Sequence, residues 1–466
     1  MQLDLGNVST DMAVIGFTGA LGSGCTFLAT GLVKHHGYVR CSLSTPIRAY
    51  ARDNHIEQTT ENLQNIGNEL RKTKGIDYLA ASALSEVNAG LPPKGDSAYP
   101  VGIVVDGIRN VGEIGALQQL PNFFLISVQA GTDMRKERTI GDGRRFKTSE
   151  EFVAADNRDR DEQTVYGQQV KECNYRADII IINEEEVSSS AEKPYQEYIE
   201  RLLYRDYVKL IEHVASGKHP NERKARLEES LMTAAYVESK RSSCLKRKVG
   251  AIVASPTGDI ISAGHNEVPE GSDACLDDPR YGRCARDVVQ ETIGRKFKHC
   301  PNCGELIMMN VKCEHCGSPI TCFAKRCPEC KGLLEIEYAC GKCRTNVFSN
   351  FLPGAGSERT GKLLDLCRAL HAEENAILNL AKFGVRLPSA QRGAESLDSL
   401  DGGCVLYSTT FPCNLCANKI VTVGIRKVVY AEPYTMDEAK KVFQKHGVRM
   451  QRFQGVKSRA FFRLYA

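Results

Sequence analysis

No apolar run in the chain is long enough to cross a membrane. The longest, in VIGFTGA (residues 14–20) and ADIIIIN (177–183), are the length of a strand. The N-terminus lacks a basic region followed by an apolar core and a cleavage site, so no secretory leader is read. Charge of one sign is scarce too: 61 Lys and Arg against 57 Asp and Glu leave a net +4 over 466 residues. Bulk electrostatics therefore point neither to nucleic acid nor to an anionic surface. There is no disorder or collagen bias, since 42% hydrophobic and 25% charged residues make an ordinary globular balance. We expect a cytoplasmic protein of two or three domains with no membrane partner.

Cysteine, by contrast, is plentiful. At least ten of the 19 cysteines fall into C-x2-C pairs, which in a reducing compartment favours metal over disulfides. The chain also divides by rhythm. AVIGFT, VGIVVDG, NFFLISVQA and ADIIIIN alternate with helical patterns, the mark of a parallel sheet covered on both faces. Residues 194–215 have helical spacing, and SGKHPNE then breaks it. A second α/β pattern follows, with helix RKARLEESLMTAAYVESKR and strand VGAIVAS. The expected domains are 1–190 and 223–466, joined by a helical linker at 191–222 and carrying a cysteine-rich insert at 297–347.

In the second domain, HAEEN places His371, Glu373 and Glu374 at the start of an amphipathic helix. Further on, VLYSTTFPCNLCANKIV brings Cys413 and Cys416, with Pro412 suited to a first helical turn and the thiols on one face near the positive helix end. One imidazole and two thiolates leave a tetrahedral zinc one open position for water, the layout of a catalytic site. H-x-E followed by P-C-x-x-C is the signature of zinc deaminases, in which the Glu, here Glu373, is the general acid and base and not a ligand. Glu374 is read as solvated, without a role. The insert holds two copies of C-x2-C-x9-C-x2-C: Cys300, Cys303, Cys313 and Cys316, then Cys327, Cys330, Cys340 and Cys343. Each copy reads as a ribbon closing four thiolates on a structural zinc.

SKRSSCLKRKVGAIVAS, IISAGHNEVPEG, HAEENAI and YSTTFPCNLCANKIVTVGIRKVVYAEPY together resemble the deoxycytidylate deaminase family over about residues 225–295 and 362–450. The resemblance implies that Asn266 and Gly271, in the N-x-x-P-x-G loop, hold the sugar and phosphate; a plain turn is the alternative. Some members bind a further structural zinc, whose positions match Cys244 and Cys275. Cys284 and Cys367 are proposed to complete it, and four buried apolar thiols are the competing reading.

In the first domain, GALGSGCT follows a strand and opens a helix as a phosphate-cradling loop does, with Gly19, Gly22, Gly24 and Thr26 in place. Cys25 stands where such a loop usually has lysine. Asp106 ends a strand, Arg109 follows in the same GIVVDGIRN segment, and Arg135, Arg138, Arg144 and Arg145 lie beyond. The arrangement resembles the nucleotide and deoxynucleotide monophosphate kinases over about residues 12–185. That implies an acidic group serving magnesium or substrate and a lid of arginines. Without the lysine we expect a nucleotide, with Mg2+, to bind without efficient phosphoryl transfer; a Gly-rich turn with no ligand is the other reading.

Taken together, the fold class is α/β: a P-loop kinase-like parallel sheet, then a cytidine deaminase-like α/β/α domain with a double zinc-ribbon insert. This order resembles the two-domain deoxycytidylate deaminases of bacterial anti-phage systems. The resemblance implies Zn2+, deoxycytidine nucleotides (dCMP or dCTP) as substrates, an inhibitory small RNA as partner, and a homo-oligomer. The alternative is a nucleic-acid cytosine deaminase or binding protein recruited through its ribbons.

Overall fold

The computed structural model describes residues 11–141, 145–160, 162, 164–218, 223–287, 311–312, 319–320, 367–387, 403–433 and 437–465. The chain forms two compact units, one of residues 1–241, 249–265 and 372–466, the other of 242–248 and 266–371.

The larger unit contains two mixed α/β sheets. The first is built from β1 (Ala13–Thr18), β2 (Tyr38–Ser42), β3 (Gly102–Ile108), β4 (Phe123–Gln129) and β5 (Ile179–Ile182), all parallel. In register, Val14 of β1 lies opposite Ile103 of β3 and Phe123 of β4. Both faces are covered, which is why β1 and β4 are continuous apolar runs without alternation. Leu28 and Leu32 of helix Cys25–His36 pack with Ile15 and Phe17, while Leu84, Ile114 and Leu117 pack with Val14 and Ile103. Fully burying each such side chain contributes about 1.5–3 kcal/mol.

The segment expected as a linker is part of this core. Helix Glu192–Ile199, a π-helical stretch Glu200–Val208 and helix Lys209–Ala215 run on from one another. Tyr195, Ile199, Leu203, Tyr207 and Ile211 are buried with β1, because an apolar stripe of that length needs a surface to cover it.

The second sheet contains β6 (Gly250–Ala254) and β7 (Ile260–His265), and later in the chain β10 (Val405–Thr410), β11 (Lys427–Glu432) and β12 (Arg449–Arg452), in the order β12-β11-β10-β6-β7. Strands β10, β11 and β12 are parallel, whereas β6 is antiparallel to both β10 and β7. Successive side chains alternate between faces. Ile252, Ala254, Val405 and Tyr407 pack with helix Leu227–Ser239, and Ser408, out of phase with them, meets helix Ala372–Lys382. The chain then returns to the first sheet: β13 (Gly455–Val456) pairs antiparallel with β5, and Val456, Ala460 and Leu464 enter the first core.

In the smaller unit, β8 (Val311–Lys312) pairs antiparallel with β9 (Pro319–Ile320). An antiparallel bridge joins Glu267 to Leu370. Asp278 accepts from Arg280 Nη2 and Arg368 Nη1, each at 2.7 Å. No helix among the described residues is long and apolar enough to cross a membrane.

Candidate active site

Helix Ala372–Lys382 lies on β7 because Gly264 lets it: a Cβ there would come 2.3 Å from Ala376 N. Polar bonds then fix its position. Asn375 Nδ2 donates to His265 O (2.7 Å), Asn379 Nδ2 to Ala263 O (2.8 Å), and Ser262 Oγ to Ala376 O (2.7 Å). His371 directly precedes this helix. Cys413 is the N-cap of helix Asn414–Thr422, in extended conformation, and Cys416 lies in its first turn. Pro412 thus precedes the cap instead of occupying the first turn, since Cys413 is still extended where the helix begins.

The ligand atoms of His371, Cys413 and Cys416 all lie within 4.8 Å of one another, with both cysteines buried. A zinc with arms of 2.0–2.3 Å needs tetrahedral edges of roughly 3.3–3.8 Å, so small side-chain adjustments close the site. The donor set fits zinc. The neighbouring Cys413 thiol, then burial, hold the Cys416 thiol well above the usual range. Glu373 is buried, 4% exposed, and its Oε1 accepts from Ser408 Oγ at 3.1 Å. Glu374, expected to be solvated, instead accepts from Lys419 Nζ at 2.7 Å and ties the two site helices together. Neither Ser408 nor Lys419 was foreseen; the only local signal was a serine in the otherwise apolar start of β10.

In the smaller unit, Asn266 Nδ2 donates to Arg247 O at 2.9 Å and its carbonyl accepts from Ser242 Oγ at 2.6 Å. Gly271 has φ +83°. Cys244, Cys275, Cys284 and Cys367 line one cavity of about 30 Å³. The eight ribbon cysteines (Cys300, Cys303, Cys313, Cys316, Cys327, Cys330, Cys340 and Cys343) lie outside the described residues, as does Arg144.

The phosphate-type loop runs from β1 to helix Cys25–His36. Gly24 caps the helix at φ 101°, and a Cβ there would come 2.2 Å from Asn183 Nδ2. Asn183 holds the loop: its amide donates to Ser23 O at 2.7 Å and its Oδ1 accepts from Tyr198 OH at 2.6 Å. Above the loop is a cavity of about 880 Å³, lined also by Arg109, Arg138 and Arg145. Thr26 Oγ1 donates to Asp106 Oδ2 at 3.0 Å. Arg109 pairs with buried Asp159 at 2.5 Å. Arg135, expected in the lid, is instead buried against Asp156 at 2.6 Å and donates to Leu21 O. Burial, and then Asp106 and Asp159 against the opposing pull of Ser23 and Arg109, push the Cys25 thiol up to about 11, so it brings no charge to the loop.

Residues 225–432 match the model of the cytidine and deoxycytidylate deaminase zinc-binding region. A deoxycytidylate deaminase of Schizosaccharomyces pombe is 24% identical over 236 residues, 50% of this chain and 46% of the relative. A UPF0200 protein of Methanothrix thermoacetophila is 31% identical over 134 residues, 28% of this chain and 68% of the relative. A solved dCMP deaminase of cyanophage S-TIM5 aligns over 50% of this chain and all of its own, with 21% identity and TM-score 0.24. The C-terminal half carries a domain of the deoxycytidylate deaminase family, and the N-terminal half belongs to the UPF0200 family. The chain spans about half or less of the length of the deoxycytidylate deaminases of the two yeasts.

Proposed function

We propose that the chain hydrolyses the cytosine amino group of deoxycytidine nucleotides, dCMP or dCTP, to give dUMP or dUTP and ammonia. The observation carrying this is the convergence of His371, Cys413 and Cys416 beside buried Glu373, within the segment matching the deaminase zinc-binding region. A bound zinc lowers the pKa of its water from about 15.7 towards about 7. Glu373 would take the first proton of that water and give it to ring N3, then take the proton of the hydroxyl added at C4 and give it to the amino group, so that ammonia leaves as the C4–N bond breaks and C4 keeps its oxygen as a carbonyl. Ser408 holds the carboxylate in line for both transfers. Asn266 and Gly271 take the sugar and phosphate, in keeping with the family resemblance.

The remaining metal assignments belong to the same reading: two structural zincs in the ribbons and a further one at Cys244, Cys275, Cys284 and Cys367, supported by their common cavity. The N-terminal half binds a nucleotide at Gly19, Gly22, Gly24, Cys25, Thr26, Asp106, Arg109 and Arg144 and reports it to the deaminase. The two-domain order supports an anti-phage role by depletion of deoxycytidine nucleotides. Restraint by a small RNA, assembly of several copies and a cytoplasmic location accompany that role. Incubating the zinc-loaded chain with dCMP, dCTP and a cytosine-containing oligonucleotide, with separation of products, tests the substrate class. Conversion of a free nucleotide is expected; conversion of the oligonucleotide alone would instead select a nucleic-acid deaminase.

A further inference from the structure

The kinase resemblance implies a divalent cation beside the loop, served by Thr26 and Asp106. The residues around that position do not fit one. Asp106 is 2% exposed, and its Oδ2 already accepts from two donors: Thr26 Oγ1, and Arg40 Nη2 at 2.5 Å. Arg40 comes from β2, where Ser42 lies in register with Asp106, so the neighbouring strand delivers the guanidinium directly to the carboxylate. A guanidinium is permanently charged, and a divalent ion at the same carboxylate would sit against a like charge in a poorly solvated place. Asp106 Oδ1 is buried without a hydrogen-bond partner. The carboxylate's charge is already matched by Arg40 on its other oxygen.

Positive charge for phosphates is present in the cavity that the loop lines. Arg138 donates to carbonyls, Asn183 O at 3.0 Å and Glu185 O at 2.8 Å, and these bonds leave its charge in place. Arg145 Nε donates to Thr60 Oγ1 at 3.0 Å. Arg109, Arg138 and Arg145 line one cavity with the loop. Such guanidinium groups suit phosphate oxygens through charge-assisted hydrogen bonds.

We infer that this loop grips the phosphates of a nucleotide with backbone N–H groups and arginine charge, without a divalent cation, Arg40 serving Asp106 in the cation's place. The inference rests on the reading of the N-terminal half as a nucleotide site.

Calorimetric titration of the full zinc-loaded chain with ATP, GTP and dTTP, none of which is a cytosine nucleotide, tests it in magnesium-free buffer and in excess magnesium. At least one should bind in magnesium-free buffer with affinity within about threefold of that with magnesium, and Gly24→Val should abolish binding. Arg40→Met should bind at least about tenfold more tightly with magnesium than without it, a difference of about 1.4 kcal/mol. Binding by the unaltered chain only when magnesium is present overturns the inference but leaves the nucleotide site standing, as does an Arg40→Met variant as indifferent to magnesium as the parent. Binding in neither buffer removes the nucleotide-site reading itself, and this inference with it. Should Gly24→Val not fold, photolabelling with 8-azido-ATP in magnesium-free buffer locates the site: the azide is on the base, so labelled peptides from residues 11–190 support the inference, and labelling confined to residues 223–466 overturns it.

Discussion

Ser408 and Glu373 belong to different stretches of the chain, yet the buried hydroxyl of one meets the buried carboxylate of the other. A carboxylate that must receive a proton at one atom and release it at another benefits from a donor that fixes its orientation. Ser408→Ala should lower kcat about tenfold with KM and zinc content unchanged, and Ser408→Thr should restore most of it. Steady-state kinetics with metal analysis check this, and an unchanged kcat would deny the hydroxyl its part. The metal ligands make a second prediction. The Cys416 thiol is held above its ordinary range by Cys413 and by burial, so it keeps its proton to higher pH than a free thiol. Zinc must displace that proton, and hence zinc affinity should weaken as pH falls and strengthen as it rises. Competition titrations at about pH 6 and about pH 8 should show tighter binding at the higher value.

Helix Ala372–Lys382 carries Glu373 and begins just after His371, so its seat on β7 sets the site geometry. Gly264→Val would force a side chain against Ala376 N and move the helix. A stability loss of about 1–3 kcal/mol or more, with weakened zinc binding, should appear in thermal melts and metal analysis. The elements themselves were unequally legible. β1, β3, β4 and β5 are apolar runs buried on both faces, and such runs declare themselves. β2, YVRCS, has an arginine at its centre and no clear period, so it gave no signal. β13 is two residues long, and its place beside β5 follows from packing over a long chain separation. The aromatic helix after residue 191 was read correctly as a helix, but its burial against β1 depends on a partner surface that local spacing does not reveal. At the site, the grouping of His371, Cys413 and Cys416 near Glu373 was expected from fixed short spacings. Ser408, Lys419 and Arg40 act through pairs far apart in the chain, with no motif to mark them.

Across the whole molecule, metal content connects the separate assignments. One zinc at His371, Cys413 and Cys416, two in the ribbons and one among Cys244, Cys275, Cys284 and Cys367 should give about four per chain by elemental analysis, each site binding as a closed or three-ligand set. Replacing Cys275 and Cys367 together with Ser should lower the count by about one while leaving deamination in place, because that site has no part in the proton transfers. A value of about one would remove both the ribbon and the four-cysteine assignments. The central claim is zinc-dependent deamination with Glu373 moving the protons. Its most direct test compares the unaltered chain with Glu373→Ala, both loaded with zinc, for release of ammonia and the uracil nucleotide from dCMP and dCTP. We predict equal zinc at the His371 site in both proteins and a loss of about 10²–10⁴-fold in turnover for the variant. Turnover by Glu373→Ala within about twofold of the parent, or no product from either nucleotide with the unaltered zinc-loaded chain, would contradict it.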